Sequence, residues 1–595
     1  MKKTLLAYLA FGAMATACSD NNEPGGTEEV TRPAEFSPSY IAFNLSSPVA
    51  GLSRAESWDY TDGSENENAI STALFYFFDS NGDIVKLRTE ADDDTFRPVF
   101  EFDFTSTGNE DEDLTRGSNV EKMVSVVMCA EFERSIRPAS LVVIINPDTY
   151  VRNLDVTSAE ILQDAVSNFH TGLTDGNFLM SNSVFVVESG EARSTVCPVA
   201  LDRSSFYSTY TMAVANPVDV YVERVVARLD LSFEPDGDNL KAANLTVKGV
   251  RLPYVYETGV TYTPQDDSSI EKEIYVQLLG WGMTSTPTQS RLLKSVDSGW
   301  DSKTLFTKKP WNTESDHRSF WAINPPEPDY SWLSFNEITG LGDNGERGYC
   351  ALSMDVNTTY LQENANPYGE ESVKAVNPEY PTKLICAARL IDEEGRGVTV
   401  VEYESIYYTL DGLTRIVANS LNMYCLTPEE GQNTYTKILP ADLDFETSME
   451  HNSETGPESE DTYYVYFTLS ERGKSKRWYK KSTQDGEDLY AEITNPQTTL
   501  DDNVYPVKIW RDGYTYYFFD IPHCGEKYDD PGYFGIVRNN LYDAKVVKLS
   551  GLGTPVYEPD EKIYPEKPRT SGNAFEAKVS VVQWRLVNQK FQLSW

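Results

Sequence analysis

The stretch FYFFDSNGDIVKLRTE, Phe75–Glu90, admits two readings that lead to different folds. As a calcium loop it offers Asp79, Asn81, Asp83 and Glu90 at the first, third, fifth and twelfth positions of an EF-hand. The sixth position, where that loop needs glycine for its sharp turn, is Ile84, and the flanks are aromatic and β-branched runs without helical spacing. Asn81-Gly82 between two apolar runs is a hairpin signal instead, because both residues accept the positive φ of a type I′ turn. The stretch is read as two strands and a turn, with no metal site.

Working outward, the same pattern recurs. Leu141–Ile145 (LVVII), Val220–Leu231 (VYVERVVARLDL), Ile274–Leu279, Tyr463–Leu469 (YYVYFTL), Tyr514–Ile521 and Ala544–Leu549 are short β-branched and aromatic runs between Gly, Asn, Asp and Pro. Helical spacing is rare; Ser158–Phe169 (SAEILQDAVSNF) is the best candidate, with Ser158 as its N-cap. The fold class is therefore all-β, a pair of β-sandwich domains with a few short helices. A chain of 595 residues exceeds one hydrophobic core. The expected division is a first domain over 36–235 and a second over 236–575.

Lys+Arg 51 against Asp+Glu 92 leaves a net charge of −41, which repels nucleic-acid phosphates and anionic lipid surfaces. Nucleic acid is excluded as a partner. The cysteines form no CxxC pair, so buried free thiols are expected. The four histidines sit in no HExxH, and neither GxSxG nor a phosphate-binding glycine loop occurs. Nothing argues for an enzyme, and no cofactor is expected.

The N-terminus is more specific. MKKTLLAYLAFGAMATACSDNN joins a basic start to an apolar run too short to span a bilayer, ending at Ala15-Thr16-Ala17-Cys18. Residues 1–17 read as a lipoprotein signal peptide, Cys18 as the lipidated residue and 18–35 as a flexible tether. Next comes YIAFNLS, Tyr40–Ser46, which places Ile41, Phe43 and Leu45 on one face of a strand expected over 39–48. The loop expected over 49–57 contains Arg54-Ala55, a bond open to a trypsin-like protease.

Several motifs in order resemble one family, the fimbrillins of Bacteroidales, subunits of the type V pilus, with the Mfa-like minor-fimbrium branch most similar. They are Glu67-Asn68-Ala69-Ile70 leading into FYFFDSNGDIV, IINP (Ile144–Pro147), FLMSNS (Phe178–Ser183), VERVVARLDL (Val222–Leu231), YCLTPEEGQNT (Tyr424–Thr434), GYTYYFFDIP (Gly513–Pro522) and YFGIVRNNLYDAKVVKLSGLGTP (Tyr533–Pro555). The resemblance implies a transthyretin-like fimbrillin fold and export as an outer-membrane lipoprotein. It further implies proteolytic loss of the first strand and its replacement by the C-terminal strand of another subunit, giving a surface fimbrium for adhesion and biofilm formation.

The tail KVSVVQWRLVNQKFQLSW, within the expected donor segment 576–595, fits that role. Val579 and Val581 share one face, Trp584 and Leu586 take the other, and Phe591, Leu593 and Trp595 return to the first, so the strand needs a kink or contacts on both faces. Expected partners are other fimbrial subunits, the outer membrane through the lipid before cleavage, and a host or bacterial surface receptor whose chemistry the residues do not specify. A different class of function remains open: a monomeric surface lipoprotein that binds glycans through exposed aromatic residues.

Overall fold

The structure, a computed structural model, describes residues 37–46, 60–90, 93–104, 124–133, 136–169, 178–183, 185–189, 192–196, 199–233, 240–264, 270–296, 322–326, 328–342, 345–365, 378–429, 432–450, 462–523, 532–556, 558–565 and 574–585. Among the described residues strands hold 47% and helices 14%, so the fold is all-β.

The first core is built on a nine-stranded sheet ordered Leu87–Arg88, Val124–Phe132, Ser39–Ser46, Val218–Arg224, Met180–Asn182, Ser140–Ile145, Thr72–Phe78 and Phe100–Asp103, with Val199–Ala200 beside Ser140–Ile145. Four ladder steps separate Ser39–Ser46 from Thr72–Phe78, roughly 19 Å in a flat sheet at ~4.8 Å per step. Yet the rings of Phe43 and Phe75 lie 5.1 Å apart. The sheet thus folds over on itself and packs its two halves face to face. Leu74–Phe78 and Leu141–Ile145 are consequently buried on both faces, which is why these runs are continuously apolar rather than alternating.

The second core lies between two sheets. One has five strands in the order Tyr60–Asp62, Ala574–Arg585, Asn540–Ser550, Ala227–Phe233 and Thr358–Leu361. The other has eleven and includes Lys272–Thr284, Lys383–Ile391 and Tyr514–Asp520. Leu229, Leu231, Tyr542, Ala544 and Val546 from the first meet Ile274, Val276, Leu384, Cys386, Tyr517 and Phe519 from the second. Sheet-on-sheet packing of alternating inward residues is the sandwich arrangement. A further apolar cluster gathers Val401, Leu413, Val417, Phe467, Trp478 and Ile509 around the helix Leu410–Ser420.

Three local readings change. The hairpin of the opening stretch forms, with Val85 N–H donating to Phe77 O at 2.7 Å, but its turn is not type I′. Gly82 has φ +85°, whereas Asn81 is not among the residues with positive φ. Gly82 N–H bonds Asp79 O and Asp79 N–H bonds Asp83 O, a longer loop built on a type I turn followed by a left-handed glycine. The Asp79 carboxylate accepts the Asn81 and Asp83 amides at 2.8 and 3.1 Å, which explains an acid at that position without a metal.

The helix expected over Ser158–Phe169 covers Ala159–Asp164 alone, and Ser158 makes no side-chain cap. Val166–Ser167 is drawn into pairing with Ser290–Arg291 instead. The run Val220–Leu231 is two strands: Val218–Arg224 lies in the first sheet, Ala227–Phe233 in the five-stranded one. Cys350, Cys386 and Cys425 are buried free thiols as expected, while Cys129 is half-buried.

Candidate assembly site

The strand Ser39–Ser46 sits inside the first sheet, antiparallel to Val124–Phe132 and parallel to Val218–Arg224. Ile41, Phe43 and Leu45 are each fully buried. Phe43 packs its ring on Phe75 at 5.1 Å and on Phe77 at 6.2 Å. The three residues singled out in the sequence therefore fill adjacent slots of the first core, as their alternation required. Neither ladder neighbour is joined to this strand by a hairpin turn. Withdrawal would leave a groove with open backbone donors and acceptors on both sides and three apolar slots along its floor.

The other end of the chain is seated elsewhere. Ala574–Arg585 runs antiparallel to Asn540–Ser550, from Ser550↔Ala574 to Asn540↔Gln583, with an irregularity between Val546 and Lys548. Val579, Val581 and Trp584 lie on this strand, so in the single chain they complete the chain's own five-stranded sheet. Leu586, Phe591, Leu593 and Trp595 lie outside the described residues, as do Cys18, Arg54 and Ala55. The structure does not bring the first and last strands together.

Between the two sheets lies a buried polar junction that the sequence reading did not pick out. The short helix Glu65–Asn68 is opened by a capping box between Ser64 and Glu67. Glu67, 2% exposed, accepts from Arg228 Nη1 with both carboxylate oxygens at 3.0 Å and from Tyr360 Oη at 2.6 Å. Burial pushes this carboxyl up, but the Tyr360 and Ser64 hydrogen bonds and the Arg228 charge outweigh it and hold the group below its ordinary value. Arg224 donates to Glu67 O at 3.1 Å, Asn68 Oδ1 at 2.5 Å and Asn539 Oδ1 at 3.2 Å. Alongside, Arg538 pairs with Glu363 at 2.9 Å and donates to the carbonyls of Leu292 and Arg291, and Lys294 meets Glu223 at 3.0 Å with both side chains fully buried. Charged residues inside the apolar run VERVVARLDL were the available signal, since interior strand charges demand partners.

Five of the seven quoted motifs meet at this junction, those carrying Glu67, Asn146, Phe178, Arg224 and Asn539. Asn146 of IINP, at φ +50°, accepts from the Ser71 amide at 2.8 Å and donates to Ala69 O and Phe178 O at 2.8 and 3.0 Å. One side chain thereby ties the segments carrying Glu67, Ile144 and Phe178 together. Among aromatic residues, Trp281, Trp478 and Trp510 are core rather than surface.

Residues 508–590, which hold both the last strand and its ladder partner, match the family described as major fimbrial subunit protein type IV, fimbrillin, C-terminal. The C-terminal segment is fimbrillin-like. Among solved structures, this chain is similar to the fimbrilin FimA of Porphyromonas gingivalis W83, with 12% identity, coverage of 92% of this chain and 99% of that one, and a TM-score of 0.36. The tip fimbrial protein Mfa3 of Porphyromonas gingivalis gives 10% identity, 92% and 100% coverage and a TM-score of 0.29. A fimbrial assembly protein of Parabacteroides distasonis gives 8% identity, 77% and 100% coverage and 0.24. No curated protein matches the sequence.

Proposed function

We propose that this chain is a structural subunit of a type V surface fimbrium, exported as a lipoprotein on Cys18, clipped after Arg54 and joined to its neighbours by exchange of the first strand for a neighbour's C-terminal strand. The filament so formed serves adhesion and biofilm formation. The observation that carries the reading is the placement of Ser39–Ser46: a fully buried strand, inside a sheet, held by ladders to Val124–Phe132 and Val218–Arg224 and by no local turn. Such a strand can be removed by one cut on its C-terminal side, and the cut at Arg54 falls between it and the next strand, Tyr60–Asp62. The vacated groove then wants an extended segment with three alternate apolar residues. The tail offers Phe591, Leu593 and Trp595 at that spacing, and Val582, Trp584 and Leu586 repeat it.

The ten residues beyond Arg585 reach about 33 Å in extended form, more than the eight-residue first strand needs. Exchange trades one set of ladder bonds for another, so durability comes from the barrier to pulling a strand out of a finished sheet. The test is to treat the purified lipoprotein with trypsin, sequence the new N-terminus and image the product. Filaments that begin at Ala55 and lack Ile41, Phe43 and Leu45 are expected; a folded, clipped product that keeps its first strand and stays monomeric would end the reading.

A further inference from the structure

One wall of the first strand's slot depends on that strand for its own pairing. Val218, Asp219 and Val220 pair with Ser39–Ser46 and have no other ladder partner among the described residues, since Met180–Asn182 takes up the pairing only from Val222 onward. Once the first strand leaves, these three residues are held only through the continuation of their own strand, Val222–Arg224. That base is tied to a segment from the second half of the sequence. Ser290–Val296 crosses into the first core: Ser290–Arg291 pairs with Val166–Ser167, Leu292 N–H donates to Ala165 O at 2.8 Å, and Leu292 and Leu293 are buried in the same cluster as Phe43. Lys294 Nζ donates to Glu223 Oε2 at 3.0 Å with both side chains fully buried, and Ser181 Oγ, one strand over, donates to Leu292 O at 2.8 Å. From the other side, Arg538 donates to the carbonyls of Arg291 and Leu292 at 2.7 and 3.0 Å and is itself paired with Glu363, while Ile323 N–H donates to Ser295 O at 2.8 Å.

We infer that Ser290–Val296 is a brace for the acceptor groove, with Lys294 as its positioning residue. It fixes Glu223, and through it the wall Val218–Val220, at the spacing a replacement strand needs while the groove stands empty. This rests on the donor-strand reading above, whose groove it keeps in shape. A charged contact suits the task. Separating Lys294 from Glu223 would leave two buried charges uncompensated, whereas two apolar side chains could slide past one another at little cost. An unbraced wall would open locally and let the apolar floor of the slot close over, and no incoming strand could then pair along it.

The test uses the full chain, clipped after Arg54 and freed of its first strand, with a synthetic peptide of residues 37–48, that strand's own sequence, as the probe. The variant is Glu223→Met/Lys294→Met, which removes both charges together at similar volume and leaves neither buried alone. Uncut, it is expected to melt with the parent, because the first strand itself holds Val218–Val220. Clipped, it is expected to take up the peptide about tenfold more weakly, the order of one charge-assisted hydrogen bond. The Ser183 amide, which donates to Tyr221 O at 2.8 Å, should then exchange about tenfold faster than in the clipped parent. Equal peptide uptake by clipped parent and clipped variant would overturn the inference. So would Ser183 exchange raised by the same factor in the uncut variant, the mark of a pair that merely supports the fold. Ser181→Ala, which cuts the brace's bond to the neighbouring strand and disturbs no charge, serves if the double variant does not fold; it should weaken uptake in the same direction, and undiminished uptake there would also overturn the brace. A clipped parent that takes up neither this peptide nor one of residues 578–595 would overturn it too. Uptake of the 37–48 peptide that depends on Lys294, with none of the 578–595 peptide, would keep the brace and sink the donor-strand reading.

Discussion

The phenol of Tyr360 donates a 2.6 Å hydrogen bond to the carboxylate of Glu67, across 293 positions of sequence. Around that bond, Arg224 links Glu67 O and Asn68 to Asn539, so the helix Glu65–Asn68, the corner between the two sheets and the start of the strand Asn540–Ser550 share one buried node. Removing one partner from such a node leaves a buried charge or polar group uncompensated, which is strongly destabilising.

Glu67→Gln should lower stability by about 1–3 kcal/mol at neutral pH, since the half-buried Arg228 loses one of its two carboxylate partners, keeping Asp230, while part of the hydrogen bonding survives. The sign of the pH effect follows from the depressed carboxyl. Its contribution is complete above the ordinary value of 4.5 and is lost as pH falls below that through the lower folded value. Urea melts at neutral pH and at about pH 3.5 should show a narrower gap between wild type and variant in acid. A gap that widens in acid would contradict the assignment.

Phe43→Ala should cost the unclipped chain about 3–5 kcal/mol, because it empties a fully buried ring site against Phe75 and Phe77. The same substitution should leave no trace in clipped polymer, where the first strand is gone. Thermal melts of both forms check this, and a polymer destabilised by the substitution would mean that the strand had stayed.

Much of the fold could be read directly from the residues, and the exceptions share a cause. Phe75, Leu141 and Tyr517 lie in runs whose β-branched and aromatic content has one use, so the strands around them appear close to their expected limits. The break inside VERVVARLDL escaped notice because Arg224 and Arg228 look like outward residues of one continuous strand; their partners, Glu67, Tyr360 and Asn539, lie far away in sequence. Ser158 likewise looks like a helix cap, yet the residues after Asp164 were claimed by a strand more than a hundred positions on. Ile41, Phe43 and Leu45 were legible as a buried face by their alternation. The pairing of Tyr60–Asp62 with the last strand was not, since a three-residue edge strand carries no periodic signal and its partner lies at the far end of the chain.

Arg54→Gln should block activation while leaving the fold intact, because the substitution removes the cleavable bond and touches none of the buried slots of the first strand. Treated with trypsin, this variant should retain Ile41, Phe43 and Leu45 and its melting temperature should match the untreated wild type. Filaments from an uncut Arg54→Gln chain would show that the first strand need not leave.

The two ends can be tested separately by mixing. An Arg54→Gln subunit keeps its groove filled but still owns a complete tail, so it can donate and cannot accept. Phe591→Asp/Leu593→Asp subunits, once clipped, have an open groove and a tail that would place carboxylates in apolar slots, so they can accept and cannot donate. Each alone should remain monomeric. Mixed in equal amounts, they should give a heterodimer and stop there, because the dimer presents neither an open groove nor a usable tail. Size-exclusion chromatography with mass measurement reads the result. Long polymers from the mixture would mean that the tail pairs without using Phe591 and Leu593; no association, with both variants folded, would mean that the groove of Ser39–Ser46 is not where the tail goes.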